Sequence, residues 1–219
     1  MSVPEGLMRM IRFLFADQLH NFPKLRDTMF QDRAFQFKTR LNWAVNVDEN
    51  GFETDEYDTM NPLYVIWEMP DGQHGGSMRL MPTTGRCMIN EHFGHLMDDG
   101  PVQSPMIWES TRFCLSRHAK PRAANALMLA GGEFMKGCGV KQYVGVFDER
   151  MIRIYRMIGA SPKLLGQSGQ GKDFIGIGLW AYDQDLHIRV SNIAGISLEQ
   201  SQEWFEHSFG SNPQFARAG

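Results

Sequence analysis

Residues 106–158, MIWESTRFCLSRHAKPRAANALMLAGGEFMKGCGVKQYVGVFDERMIRIYRMI, alternate between two kinds of apolar spacing, and that alternation decides the fold. Residues 106–115 and Gln142–Phe147 (QYVGVF) read as strands, each a short run rich in aromatic and aliphatic side chains. Between them, about Pro121 to Lys136 reads as a helix, with Pro121 suited to its first turn. Glu149–Ile158 reads as a second helix and Phe174–Ala181 (FIGIGLWA) as a further strand. Upstream, LYVIWEM (63–69) and SMRLMP (77–82) read as strands, and the turn between them contains Asp71-Gly72 and Gly75-Gly76, a hairpin signal. A strand is expected at 10–15 (MIRFLF), a helix from about Phe22 to Phe30 with Pro23 in its first turn, and an amphipathic helix over about Leu198–Phe209. Residues 31–62 show no clear period, and a loop is expected over 46–62. A hairpin followed by alternating strands and helices implies an α/β fold, a mixed sheet with helices on its faces.

Length and composition agree with that architecture. A chain of 219 residues without repeats or a linker reads as one domain, and 42% hydrophobic residues with 15 Phe and 15 Met exclude disorder. No apolar run reaches the length of a transmembrane helix. Arg9 and Arg12 interrupt the apolar stretch near the start, so no signal-peptide core is visible. Cys87, Cys114 and Cys138 are odd in number and widely spaced, as expected of thiols in a reducing cytoplasm. The net charge of −3 argues against a nucleic-acid partner, but it hides an asymmetry. Residues 1–110 hold nine basic and sixteen acidic side chains, whereas residues 111–163 hold ten basic and three acidic. Such a block either attracts an anionic partner or is spread over separate solvated faces. Arg150, Arg153 and Arg156 would share one stripe of a helix.

Two motifs are decoys. Gly166–Asp173 (GQSGQGKD) matches a phosphate-binding loop until its last position, where a Ser or Thr hydroxyl would hold Mg²⁺. Asp173 stands there instead, and a strand rather than a helix follows, so the segment is assigned to a turn between strands. His92 and His95 lack a third ligand at helical spacing and read as surface or structural histidines, so no metal is expected. No Gly-x-Ser-x-Gly elbow supports Ser-His-Asp chemistry.

More telling are charges set in apolar strands: Arg79 within Met78–Met81, and Glu109 with Arg112 in IWESTRFCL. Unpaired burial would cost several kcal/mol, so these groups need partners, and Asp55 and Asp58 in TDEYD are candidate counter-ions. On a regular strand Glu109 and Arg112 point to opposite faces, so both reach one cleft only through a bulge or strong twist. From residues alone the cluster is either a structural ion-pair network or a site.

In order along the chain stand Arg33-x-x-x-Phe37-x-x-Arg40-Leu41-x-Trp43, Asp55-Glu56-Tyr57-Asp58, Met78-Arg79-Leu80-x-Pro82-Thr83-Thr84-Gly85, Phe93 and Trp108-Glu109-Ser110-Thr111-Arg112-Phe113. This ordered set resembles that of the acyl-homoserine-lactone synthases, the LuxI-type autoinducer synthases of bacterial quorum sensing. The likeness is strong over the first half of the chain and looser beyond Phe113. It implies a single domain spanning residues 1–219, an α/β/α sandwich whose mixed, splayed sheet is similar to that of the GCN5-related N-acetyltransferases, with a mobile N-terminal part of residues 1–60 or so. The implied reaction moves a fatty acyl group from acyl carrier protein, or in some members from acyl-CoA, to the amine of S-adenosylmethionine. Lactonisation then releases methylthioadenosine. S-adenosylmethionine is a substrate, and no cofactor is implied.

By the same resemblance, Glu109, Arg79, Asp55, Asp58 and Arg112 form the family's charged catalytic cluster, with Glu109 the candidate base. Arg33, Phe37, Trp43 and Phe93 would bind S-adenosylmethionine, Trp43 and Phe37 facing its sulfonium. Gly145, Val146 and Met151 are placed along the acyl chain; in the family a Thr on this strand accompanies 3-oxo chains, so Gly145 implies a chain without that group. Arg117, Lys120, Arg150, Arg153 and Arg156 are expected to dock an acidic carrier protein. No Gln/Arg-x-x-Gly-x-Gly/Ala cradle for coenzyme A follows Glu109, where Arg117-His-Ala-Lys120-Pro stands, which favours the carrier protein as donor. Two alternatives stay open: a non-lactonising N-acyltransferase of the same fold, and a non-catalytic domain that binds an acidic protein.

Overall fold

The computed structural model describes residues 10–119 and 122–210; Lys120 and Pro121 lie outside the described residues. Its strands are β1 (Met10–Phe15), β2 (Leu63–Glu68), β3 (His74–Pro82), β4 (Ile107–Leu115), β5 (Gln142–Asp148), β6 (Lys163–Ser168) and β7 (Ile175–Ala181). They form one sheet in the order β1-β2-β3-β4-β5-β7-β6. Every pairing is antiparallel except β4 with β5. That parallel contact covers only Ile107–Glu109 against Gln142–Val144, although β4 runs on to Leu115 and β5 to Asp148. Beyond it the two strands stop pairing and the sheet opens as a wedge.

Strand β2 shows how the layers form. Leu63, Val65 and Trp67 face one way and pack with Ala123, Ala126, Leu127, Ala130 and Phe134 of α3 (Arg122–Cys138) and with Trp204 and Phe205 of α6 (Leu198–Phe209). Tyr64 and Ile66 face the other way, onto Leu25, Met29 and Phe30 of α1 (Pro23–Arg33). Alternate side chains bury on opposite faces, so the strand is apolar throughout. On α3 the buried positions recur at three and four residues, as a helix lying on a sheet requires. Gly137 lets α6 approach closely, because a β-carbon there would sit 2.3 Å from the Phe205 ring. The remaining helices are the short α2 (Met88–His92), α4 (Glu149–Ile158) and α5 (Gln184–Ala194). No helix among the described residues is long and apolar enough to cross a membrane.

Several segments depart from the reading of the sequence. Gly75 and Gly76, expected in the hairpin turn, lie inside β3, which starts at His74, and the short α2 was not expected. Helix α1 does not end at Phe30 but continues to Arg33 and then as a π-helix over Ala34–Arg40. Edge strand β6 takes the beginning of the glycine-rich decoy; the rest of that segment turns into β7. Helix α5, capped by Asp183, was not foreseen because exposed Ile188 and Ile193 blur its apolar stripe.

Candidate active site

The Asp-Glu-Tyr-Asp stretch forms a 3₁₀ turn (Glu56–Met60) that holds itself in shape. The Asp55 carboxylate accepts from the N–H groups of Tyr57 and Asp58 at 3.0 and 3.2 Å, and Asp58 accepts in return from the Asp55 N–H at 2.8 Å. This reciprocal capping explains why two aspartates stand three positions apart. Their remaining acceptor capacity points at the sheet. Arg79 of β3 bonds Asp55 through both terminal nitrogens, Asp58 at 2.8 Å and the Thr111 hydroxyl at 3.0 Å.

Arg112 reaches the same cluster by a bulge. Ser77 pairs with Cys114 but Arg79 with Thr111, so Met78 faces two residues of β4, and Arg112 adopts φ +53°. A non-glycine residue in the left-handed region is uncommon and marks strain that the surroundings hold in place. The bulge turns Thr111 and Arg112 to one face, where Arg112 bonds Glu53 at 3.0 Å and Asp55 at 2.8 Å. Trp108, Phe113 and Leu115 face the apolar core instead.

Arg33 completes the set. Its Nε donates to Glu53 at 2.6 Å, and its terminal nitrogens bond both oxygens of Asp58 at 3.0 and 2.9 Å. Arg33, Arg79 and Glu53 are fully buried, so three guanidiniums and three carboxylates neutralise one another out of water. Burial alone would raise the Asp58 carboxyl, but the charges and hydrogen bonds of Arg33 and Arg79 outweigh it and hold Asp58 well below the usual carboxylate range. Burial likewise opposes charge on Arg33 and Arg79, and their acidic partners outweigh it. Glu53 was missing from the sequence reading. It lies two positions before Asp55, in a stretch with no apolar period to mark it.

Glu109 sits apart from these pairs, on the same face of β4 as Thr111. Its oxygens accept from the N–H of Met88 at 3.2 Å and of Ile89 at 2.5 Å, at the start of α2. Burial pushes its carboxyl above the ordinary range, partly offset by those two N–H groups and by Arg79. Each carboxylate oxygen has two lone pairs, so both bonds leave Glu109 able to accept another proton.

The aromatic residues divide. Phe37 and Trp43 stack at 5.1 Å with an interplanar angle of 10°, and the Arg112 guanidinium lies 5.5 Å from the Phe37 ring. Phe37 is buried, whereas Trp43 is 44% exposed. Phe93, at the end of α2, instead packs into an apolar cluster with Ile89, Met97, Val144 and Ile177, together with Val146. Gly145 lies where β4 and β5 part, and a β-carbon there would stand 2.8 Å from the Ser110 carbonyl oxygen. Met151 is half-buried in the first turn of α4, its N–H bonded to Asp148. Arg150, Arg153 and Arg156 are exposed along α4, and Arg117, just past β4, lies over the Phe35 ring at 4.7 Å. Others of the basic block serve inside the fold: Arg122 donates to the carbonyls of Ala194 and Gly195, and Lys136 pairs with Glu133. His92 and His95 are exposed, and His92 lies 3.7 Å from Glu56.

A family model described as autoinducer synthase matches residues 17–185. The acyl-homoserine-lactone synthase of Rhizobium etli is 38% identical over 183 residues, covering 80% of this chain and 86% of the relative. The chain belongs to the autoinducer synthase family.

This autoinducer synthase also shares its fold with a solved CoA-dependent acyl-homoserine lactone synthase, BjaI, in complex with SAM and isopentyl-CoA. The TM-score is 0.78 at 21% identity, over 90% of this chain and 99% of that one. A putative N-acetyltransferase from Lactobacillus plantarum aligns with a TM-score of 0.54 at 14% identity, over 80% and 99% of the two chains. The expected α/β architecture, with its splayed mixed sheet, is therefore the observed one. The bulge foreseen as the condition for Glu109 and Arg112 to share a face is present at Arg112.

Proposed function

We propose that this synthase joins S-adenosylmethionine to a fatty acyl group delivered by acyl carrier protein, and that the cleft between the charged cluster and the open wedge is where they meet. The observation that carries this is the buried set of Arg33, Arg79 and Arg112 with Glu53, Asp55 and Asp58, beside an aromatic stack and a parting pair of strands. One side of Phe37 faces Trp43 and an Arg112 guanidinium already lies near its ring, so the sulfonium meets the outer face of Trp43. A cation–π contact of this kind is worth about 0.5–2 kcal/mol. Because all three donor nitrogens of Arg33 are engaged, Arg33 acts by fixing the cluster rather than by touching substrate. Residues 1–9 lie outside the described residues and β1 is paired into the sheet, so among the described residues the closing part is the mostly exposed stretch around residues 38–50.

Glu109 takes a proton from the α-amine, directly or through one water. The freed nitrogen attacks the thioester carbonyl, and backbone donors along the parting edges of β4 and β5 steady the oxyanion. Collapse forms the amide and expels the carrier thiolate, which takes up a proton. The methionyl carboxylate then attacks its own γ-carbon, the carbon–sulfur bond breaks with its electron pair going to sulfur, and methylthioadenosine leaves. Sulfonium is a good leaving group, so this step needs mainly positioning. The acyl chain runs into the wedge along Val146, Met151 and Phe93, and Gly145 keeps its entrance narrow. The reaction needs no resident cofactor.

β4 and β5 run parallel, so Arg117 and the α4 arginines follow strand ends on either side of the wedge opening. An acidic carrier in the cytoplasm would dock there with its acyl arm aimed inward. The test is incubation of the purified chain with S-adenosylmethionine and either acyl-carrier protein or acyl-CoA, with products weighed by mass spectrometry. N-acyl-homoserine lactone and methylthioadenosine in equal amounts are expected, with the carrier preferred. Acylated amine without methylthioadenosine would identify a non-lactonising transferase instead.

A further inference from the structure

The buried polar chain through His74 lies beside the charged cluster and is not used by this chemistry. His74 opens β3 and is fully buried; its Nδ1 lies 2.8 Å from an Asp32 carboxylate oxygen and its Nε2 lies 2.9 Å from the Ser77 hydroxyl. A carboxylate can only accept, so Nδ1 carries the proton and donates to Asp32, and Nε2 accepts from Ser77. Burial and the nearby Arg33 charge favour the neutral ring, against the pull of Asp32. The set has the residue types of a Ser-His-Asp triad but not its access. Ser77 is buried between the sheet and α1, and no carbonyl can reach its oxygen.

What the chain does is hold a helix end. Leu25, Met29 and Phe30 bury the earlier turns of α1. Its last turn presents Asp32 and Arg33 to the sheet, where apolar packing cannot define its rotation. His74 defines it twice, through Asp32 and through its own N–H, which donates to the Thr28 hydroxyl at 3.0 Å. The residue after Asp32 is Arg33, which grips Glu53 and Asp58, and four positions further stands Phe37 with Trp43 stacked on it.

We propose that the buried Asp32–His74–Ser77 chain is a positioning device for the amino-acid substrate. It locks the last turn of α1 onto β3 and so sets the Arg33 guanidinium and the Phe37–Trp43 stack at the S-adenosylmethionine side of the cleft. This rests on the function proposed above and adds residues that never touch substrate.

The imidazole allows a sharp test, because Asn mimics its Nδ1 edge and Gln its Nε2 edge. His74→Asn keeps a donor for Asp32, whereas His74→Gln loses it and keeps only a partner for Ser77. The measurements are KM for S-adenosylmethionine, KM for the acyl donor, and direct calorimetric binding of S-adenosylmethionine. Asp32→Asn and His74→Gln should raise the KM and Kd for S-adenosylmethionine at least about tenfold, with the acyl donor KM within about twofold, because a hydrogen bond to a charged group is lost. His74→Asn should restore most of that loss. Ser77→Ala removes one hydroxyl, is the variant least able to upset folding, and should give a small change of the same kind. Equal behaviour of His74→Asn and His74→Gln, equal rises in both KM values, or a fall in melting temperature at unchanged KM would each overturn the proposal and leave a packing role. If wild type releases no methylthioadenosine, the proposed function fails and this inference goes with it; active wild type with unaltered variants defeats the inference alone.

Discussion

Two sets of three arginines occupy opposite halves of this molecule. Arg33, Arg79 and Arg112 lie inside the β1–β4 half, bonded to carboxylates on a fixed turn. Arg150, Arg153 and Arg156 lie outside the other half, exposed along α4. The residue type is the same and the energetics are opposite. A buried guanidinium has given up its water and depends on its partners, so removing one end of a pair leaves an uncompensated charge in low dielectric. An exposed one keeps its water and contributes almost nothing to folding, but its field extends about a Debye length toward an approaching anion. The first set is held inside the fold by its partners; the second faces solvent, where, on the function proposed above, it would serve encounter.

Breaking the buried set should give the largest effect. Arg79→Met takes one of two arginine partners from each of Asp55 and Asp58, leaving the buried cluster one positive charge short. It should lower unfolding free energy by roughly 3–5 kcal/mol and abolish lactone formation. Urea denaturation and a product assay read both. A double variant that also carries Asp55→Asn should regain part of the stability but none of the activity. Stability regained together with activity would show that Arg79 is structural only.

Glu109→Gln comes next. It removes the proposed base and replaces one acceptor of the α2 N–H groups by a donor, so kcat should fall by roughly 10²-fold or more. In wild type the rate should drop as pH falls through the raised Glu109 titration, because only the carboxylate can take the proton. A variant with wild-type turnover would remove Glu109 from the mechanism.

Acid separates these two carboxyls by sign. Asp58 titrates below its unfolded value of about 3.9, so its contribution to stability is present above that pH and is lost as pH falls through the folded titration. Glu109 titrates above its unfolded value of about 4.3, so its contribution is fully present below that pH and fades as pH rises through the folded titration. Urea midpoints from pH 3 to 8 should therefore lose part of their acid limb in Asp58→Asn and part of their neutral-side decline in Glu109→Gln.

The arginine comparison also explains what could be read from sequence. Strands β2, β4 and β5 are short runs rich in aromatic and aliphatic residues and helix α3 carries periodic ones, and both signals are local. Arg79 and Glu109 stood out because a charge in such a run demands a partner. Glu53 did not, because it lies in a loop without period and only the folded turn brings it to Arg33 and Arg112. The Asp32–His74 bond spans 42 positions with no motif at either end. Phe93 was placed by its distance along the chain from Arg79, and no period in the sequence shows that α2 packs it against the Val144–Ile177 cluster. Edge strand β6 is short and exposed, with a glycine inside it, so it lacked the alternation that marks a half-buried strand.

The smallest effect on folding should come from α4, and there the comparison is most exposed to test. Arg150→Glu combined with Arg153→Glu alters side chains that face solvent, so unfolding free energy should move by no more than about 0.5 kcal/mol. If these arginines guide an acidic carrier, kcat/KM for the acyl-carrier substrate should fall by roughly tenfold at low salt. KM for S-adenosylmethionine should stay where it was. Raising ionic strength should weaken the wild type towards the variant, since screening removes from one what substitution removed from the other. With acyl-CoA as donor the two proteins should differ less, because the docking field of a whole acidic protein is absent. A variant that loses neither rate nor salt dependence would mean that the α4 stripe is only a solvated face, and that the carrier, if it is the donor, approaches the wedge from elsewhere.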